Sequence, residues 1–453
     1  MIFLKRKRLI FWLLRAYVKR WRRTILASFI IGILGFFLLR YGLNYFIPLL
    51  PFTQEEKIGV EGAYTVSELP SFITSKISTG LTTLDANYNV KPGAANKWEI
   101  KDDGKTYIFY LKDNVKFSDT TLLTSSDINY NFIDVKAQTP NKNVIVFRLK
   151  NKYSPFLVTV SRPIFKNGLT GLGAYKVQSI SLNGNFVQSI SLRSLSQEKN
   201  IISYYFYPTQ DALKSAFVLG EVDKAIGVNE TNFQDKNFGS FNNIKIDKNL
   251  NDRLLVTVFL NTKDKVLSDK RLREALSYAT PDVFSEGKRN YGPFSPNLWV
   301  NETNLTNYNQ DFEHANLLLK ESDSYKSSKN IVLELKTLQK YEDTAQKLQK
   351  EWGKIGIKIN IKSVESFPTE FQMFLGDYSV SKDPDQYILW HSEQSNNISN
   401  YRNLRIDKLL EDGRQELSVS ERKKIYADFQ KYLLDDPPAI FLYFPYQFTI
   451  SRK

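Results

Sequence analysis

Period-two runs and helical stripes alternate along most of this chain. Thr106, Ile108 and Tyr110 interleave with Tyr107, Phe109 and Leu111, so residues 106–111 are apolar on both faces and read as a strand. Asp102-Asp103-Gly104-Lys105 carries tight-turn chemistry, which predicts a hairpin of 98–101 with 105–111. Thr124-Ser125-Ser126-Asp127 supplies helix N-caps ahead of Ile128 and Phe132 at i, i+4 spacing, predicting a helix there. Residues 143–149 and 202–207 read as strands, and 209–219 as a helix with Leu213, Ala216, Phe217 and Gly220 on one face. The continuously apolar 254–260 predicts a strand buried on both faces. Ser268 is the expected cap of a helix over 269–279, with a stripe of Leu272, Ala275, Leu276 and Ala279.

Three further segments form a unit. Leu333 and Leu335 alternate with Glu334 and Lys336, Ala345, Leu348 and Trp352 recur at helical spacing, and Ile357, Ile359 and Ile361 alternate again. Strand, helix and strand in this order predict a right-handed parallel βαβ crossover. Two helices follow, one with Ile406, Leu409, Leu410 and Leu417, the other capped by Ser420 with Ile425, Phe429, Tyr432 and Leu433. Asp435-Asp436-Pro437-Pro438 stops the second, and 439–444 returns as a strand.

The N-terminal end has a different pattern. Residues 24–39 hold no charge and, with Arg40 snorkelling, the apolar run continues to Leu50, long enough for the roughly 20 residues that a membrane-spanning helix needs. The basic cluster 19–23 places the N-terminus in the cytoplasm, and Trp21, Tyr41, Tyr45 and Phe46 suit the interfacial belts. Pro48 and Pro51 are expected to end this helix and begin a tether. A cleaved signal peptide is the alternative, but no small-x-small site follows the apolar run, which favours an uncleaved anchor.

Composition narrows the function classes. A chain of 453 residues, 42% hydrophobic, can form two or three domains. Of its net charge of +14, residues 1–50 contribute +10, leaving +4 for the rest, so the basicity belongs to the membrane end and not to nucleic-acid binding. The chain has no cysteine, hence no disulfide, no thiol chemistry and no lipoprotein attachment point. His314 and His391, far apart in sequence, read as ordinary histidines rather than a metal pair. Gly-x-Ser-x-Gly, Walker A and His-Glu-x-x-His motifs are missing, and Gly171-Leu172-Gly173 lacks a third glycine at Lys176, so no enzyme is expected.

The order of residues from Ala95 to Ile128 resembles the family 5 extracellular solute-binding proteins, the peptide and nickel receptors of ABC importers. Ala95, Trp98, Asp102, Asp103, Gly104, Tyr107, Phe109, Leu111, Val115, Phe117, Asp119, Thr124, Asp127 and Ile128 match that family's signature, with Thr120 standing where the family has glycine. Further matches are Ser154-Pro155-Phe156-Leu157, Gly171 to Tyr175, Gly220-Glu221-Val222-Asp223, Asn261, Gly356 to Ile359 and Asp383-Pro384-Asp385. Glu221 and Asp223 read as a solvated turn after a helix.

The resemblance implies an α/β, two-lobed periplasmic-binding-protein-like fold of type II, the peptide-binding subclass with an extra subdomain, preceded here by one N-terminal transmembrane helix. The implied division is a basic cytoplasmic segment 1–23, the transmembrane helix 24–47, a tether 48–56, lobe I from 57–84, 168–250 and 436–453, its subdomain 85–167, and lobe II 251–435. The implied function is a membrane-anchored extracellular or periplasmic receptor that captures oligopeptides between the lobes and delivers them to the permease subunits of an ABC importer, without a cofactor or metal. A surface peptide sensor or chaperone, or a scaffold of the same fold, is the alternative. Expected ligand-binding residues are Glu61, Ala63 and Tyr64 from lobe I, Phe259 and Asn261 from the strand between lobes, and Asp383, Asp385, Tyr387 and Trp390 from lobe II; each also admits a packing or turn role. Peptide-binding members place an acid for the ligand's ammonium four residues before the proline, and here that position is Val380 in a connection that reads as shortened.

Overall fold

The computed structural model describes residues 2–46, 54–300 and 307–453. The chain divides into two compact units, residues 1–55 with 197–201, and residues 56–196 with 202–453. In the first, helix α1 (Ile2–Phe46) leaves helical geometry at Trp21, with φ −109° and ψ 16°, and Thr24 Oγ1 donates to the freed Trp21 carbonyl at 2.8 Å. Its stretch Tyr17–Leu38 is long and apolar enough to cross a membrane, a property shared with signal sequences. The helix also takes in the basic segment expected to precede the span. Pro48, Pro51 and most of the expected tether lie outside the described residues.

Strand β1 (Gln54–Glu61) leads into the second unit. Next come β2 (Ala95–Lys101), β3 (Thr106–Leu111), β4 (Val135–Asn141) and β5 (Val144–Leu149), an antiparallel sheet in the order β2-β3-β5-β4. The expected hairpin is β2–β3, turned by Asp102, Asp103 and Gly104 at φ of 51°, 53° and 83°. The expected helix at Ile128 is not formed. Thr124 and Asp127 do bond each other, Thr124 N and Oγ1 donating to Asp127 Oδ2 at 2.8 and 2.6 Å, but they close a single 3-10 turn. Ile128, Tyr130 and Phe132 then point inward at period two, on a backbone broken by Asn131 at φ 51°.

A twelve-stranded sheet carries the rest. Its strands are β1, β6 (Tyr175–Asn183), β7 (Phe186–Ser194), β8 (Asn200–Tyr207), β9 (Lys224–Val228), β10 (Ile244–Leu250), β11 (Leu254–Leu260), β12 (Gly287–Arg289), β13 (Val332–Leu338), β14 (Lys358–Val364), β15 (Met373–Ser379) and β16 (Ala439–Arg452). The order is β14-β13-β15-β11-β16-β9-β1-β8-β7-β6, with β10 and β12 also on β16. Gly171 and Gly173, ahead of β6, lie so close to the Ile77 carbonyl that a Cβ at either would overlap it.

The long β16 joins two sets of cores. Residues 439–443 pair with β11, whereas 446–452 pair with β10 and, at their far end, with β9. The connection between β10 and β11 runs alongside, Asn251 N donating to the Pro445 carbonyl at 2.9 Å. β11 is buried on both faces as expected: Val256, Val258 and Leu260 enter one core and Leu255 and Phe259 the other. The predicted βαβ unit is β13, α2 (Glu342–Gly353) and β14, parallel with Leu333 opposite Ile359. Trp352 is fully buried there and its Nε1 donates to the Leu276 carbonyl at 2.9 Å. Two caps move by one or two residues. Asp269 Oδ1, not Ser268, accepts from Arg271 N at 3.0 Å, and the last long helix Val419–Asp435 starts after Ser418 rather than Ser420.

Candidate functional site

The Asp-Pro-Asp segment is held by a ladder of its own side chains. After β15 ends at Ser379, Val380 N donates to the Arg253 carbonyl at 2.8 Å, and the Val380 side chain enters the apolar core at 1% exposure. Asp383 Oδ1 accepts from Asp385 N at 3.0 Å, and Asp385 Oδ1 from Tyr387 N at 3.1 Å, which sets the start of the short helix Tyr387–Trp390.

Two arginines from the C-terminal helices meet these acids. Arg422, 5% exposed, donates from Nη2 and Nη1 to the two Asp383 oxygens at 2.7 and 3.1 Å, and from Nε to the Gly413 carbonyl at 2.9 Å. Burial pulls the guanidinium's pKa down, but the Asp383 charge and its hydrogen bonds outweigh this and the net shift is upward. Arg414 pairs with Asp385 at 3.0 Å and lies over the Tyr387 and Tyr153 rings, 4.4 and 5.2 Å from their centroids. Burial raises the Asp385 pKa in spite of Arg414 and the Tyr387 N–H, which both lower it.

This wall faces residues 153–159. Ser154 N donates to the Arg414 carbonyl at 2.7 Å, and a cavity of about 430 Å³ lies between Tyr153, Pro155 and Val158 on one side and Tyr378, Asp383, Asp385 and Arg414 on the other. A second, of about 820 Å³, shares Tyr153 and Arg414 and extends past Tyr387 and Glu411 to Lys105 and Lys152. Both volumes suit a small organic ligand.

The structure brings together Asp383, Asp385 and Tyr387 at these cavities. Trp390 and Phe259 stand behind them, their rings 6.4 Å apart, at 1% and 2% exposure. Trp390 Nε1 donates to Gln386 Oε1 at 2.7 Å, so in this conformation both rings touch protein alone. Asn261 lies at the opposite end of β11 from Arg253, where Asn261 Nδ2 donates to the Phe371 carbonyl at 3.0 Å beside a separate cavity of about 520 Å³. Glu61 ends β1, and Ala63 and Tyr64 follow it. The Glu61 carboxylate accepts from Gln210, Ala63 is exposed, and Tyr64 donates to the Glu61 carbonyl at 3.2 Å while packing edge-on against Phe206. Neither the 430 nor the 820 Å³ cavity is lined by these three.

The family model for bacterial extracellular solute-binding proteins, family 5 (middle part), matches residues 89–400. The chain belongs to this family. The oligopeptide-binding protein AppA of Bacillus subtilis (strain 168) is 25% identical over 461 aligned residues, covering 84% of this chain and 83% of that one. Among solved structures, NikZ from Campylobacter jejuni in complex with Ni(L-His) matches with a TM-score of 0.70 at 21% identity, over 88% of this chain and 94% of that one. AppA from Bacillus subtilis in complex with a nonapeptide matches with a TM-score of 0.65 at 21% identity, over 88% and 95%. These likenesses give the two-lobed periplasmic-binding-protein fold. Among the described residues no group of three or more His, Cys, Asp or Glu is placed to hold a metal ion.

Sequence reading missed Arg414, Arg422 and Tyr153. One signal was available: Arg422 sits on the helical stripe of Tyr426, Phe429 and Leu433, and a cation on an apolar stripe calls for a buried acid.

Proposed function

We propose that this family 5 protein is the solute receptor of an ABC importer, capturing oligopeptides between its lobes and handing them to the permease, with α1 as its membrane anchor. The observation that carries the reading is the match of the whole body, over four-fifths of both chains, to an oligopeptide-binding protein. Two features of the chain support it. The paired crossing of β10–β11 and β16 is a hinge between cores, and a ligand that touches both sides selects the closed state. The cavities beside it are lined by tyrosines and by charged groups already held in place, which suits loose side-chain pockets along an extended backbone.

Native mass spectrometry of the full chain, purified without denaturation from a peptide-rich medium, tests this. A ladder of co-purified peptides is expected, together with a rise in thermal stability on adding a mixed peptide pool. Ligand at a hundredfold excess over Kd adds about 2.7 kcal/mol to stability. A bare mass with no thermal response to the pool overturns the peptide reading. Anchoring is checked separately: an intact N-terminus recovered from carbonate-washed membranes is expected, and a mature chain beginning after α1 refutes it.

A further inference from the structure

Three segments meet where β10 turns into β11: the turn 85–89, the connection 251–253 and the loop 380–383. They are tied by short polar contacts. Val380 N donates to the Arg253 carbonyl at 2.8 Å, and Tyr88 Oη donates to Asp252 Oδ2 at 2.9 Å. The same Asp252 oxygen also accepts from Asn297 Nδ2 at 2.9 Å and Ser295 Oγ at 3.3 Å, so Oδ2 gathers the neutral donors of this junction.

The two cations of this junction are not engaged in that way. Arg253 Nη1 is buried and has no hydrogen-bond partner among the described residues, with the guanidinium 5.9 Å from the Tyr88 ring. Lys382 is half-buried, and no hydrogen bond or ion pair ties its ammonium to any described residue. Burial first, and the neighbouring Arg253 charge second, push the Lys382 pKa down. Arg422 shows the contrast, with both Asp383 oxygens and the Gly413 carbonyl on its guanidinium. A buried donor left unmatched beside a second desolvated cation is costly unless something from outside supplies the acceptor.

We propose that Arg253 and Lys382 form a carboxylate-binding subsite at the hinge, which holds an anionic group of the ligand, either the free C-terminus of a peptide or an acidic side chain. The subsite rests on the receptor reading but adds its charge preference. Arg253 precedes β11 and Lys382 follows β15, neighbouring strands paired from Leu254 opposite Ser379, so one rigid edge presents both cations.

The test uses the full chain and its Lys382→Gln variant, which should fold because Lys382 anchors nothing. Binding is measured calorimetrically for trialanine, trialanine amide, N-acetyl-Ala-Glu-Ala amide and glutarate. A charge-assisted bond predicts that trialanine, or the glutamate peptide if the side chain is the recognised group, binds the wild type at least about tenfold more tightly than the neutral amide. Lys382→Gln should erase that difference without weakening the neutral amide. Arg253→Lys, which keeps the charge and loses the fork, should retain part of the preference. If the neutral amide binds as well as both carboxylates, or Lys382→Gln weakens all peptides equally, the peptide receptor stands and the subsite falls. If no peptide binds but glutarate does, in a Lys382-dependent manner, the subsite stands and the peptide reading falls. If none of the four binds, both are overturned.

Discussion

Removing the Asp383 carboxylate separates a structural acid from a ligand-binding one. Asp383 and Arg422 are 4% and 5% exposed and share two charge-assisted bonds of 2.7 and 3.1 Å. Each such bond contributes about 1.5–3 kcal/mol, so roughly 3–6 kcal/mol is at stake. The Nε bond to the Gly413 carbonyl survives in Asp383→Ala and keeps the loss toward the lower end, in agreement with the about 3–5 kcal/mol typical of leaving one buried charge unpaired. The double variant Asp383→Ala, Arg422→Met removes both charges and leaves an apolar side chain near the Trp299 and Tyr426 rings, which lie 5.5 and 5.4 Å from the guanidinium carbon. It should recover most of the stability, because the desolvation cost disappears along with the attraction. Urea unfolding of the wild type, the two single variants and the double variant gives the coupling energy directly. A loss below about 1 kcal/mol in Asp383→Ala, together with loss of ligand-induced protection, would refute the structural assignment and return Asp383 to the binding face.

Thr120 holds φ 72° at the tip of a turn closed by Thr120 N to the Phe117 carbonyl at 2.9 Å. A β-branched residue there costs about 1–2 kcal/mol, and glycine gives back about 0.5–1 kcal/mol in chain entropy, so Thr120→Gly should stabilise by about 0.5–1 kcal/mol in urea unfolding; any destabilisation counts against the strain. Trp390→Ala should cost about 3–5 kcal/mol by the same method, as expected of a core ring, whereas a ligand-wall role predicts little change in stability and a large change in affinity. For Asp385 the folded pKa is raised above the ordinary 3.8, so the folded state binds the proton more tightly and the contribution to stability is full below that value and lost as pH rises through the raised one. Asp385→Asn should therefore gain stability relative to wild type between about pH 4 and neutrality, measured by melting temperature across pH; a constant difference refutes the shift.

Much of the fold could be read from side-chain period because single elements satisfied one period and failed the other. Residues 254–260 are too short and too evenly apolar for a surface helix, and Leu333/Leu335 with Ile359/Ile361 bracket a helical stripe ending at Trp352. Ile128 and Phe132 satisfied both periods at once, and the deciding feature, Asn131 at φ 51° with its N–H on Asn129 Oδ1 at 2.9 Å, is a local backbone choice that apolar spacing does not report. At the site the limit was of another kind. Acids stand out in sequence, so Asp383 and Asp385 were found, but their partners lie on helices several turns further along the chain and fully occupy Asp383. A lysine such as Lys382 reads as solvated charge until the fold places it, half-buried, beside Arg253. The acids visible in this segment are thus tied up in holding the wall, and the proposed carboxylate subsite draws instead on cations that sequence alone assigns to the surface. That inversion makes the charge of the ligand, more than its length, the property that this receptor's structure predicts.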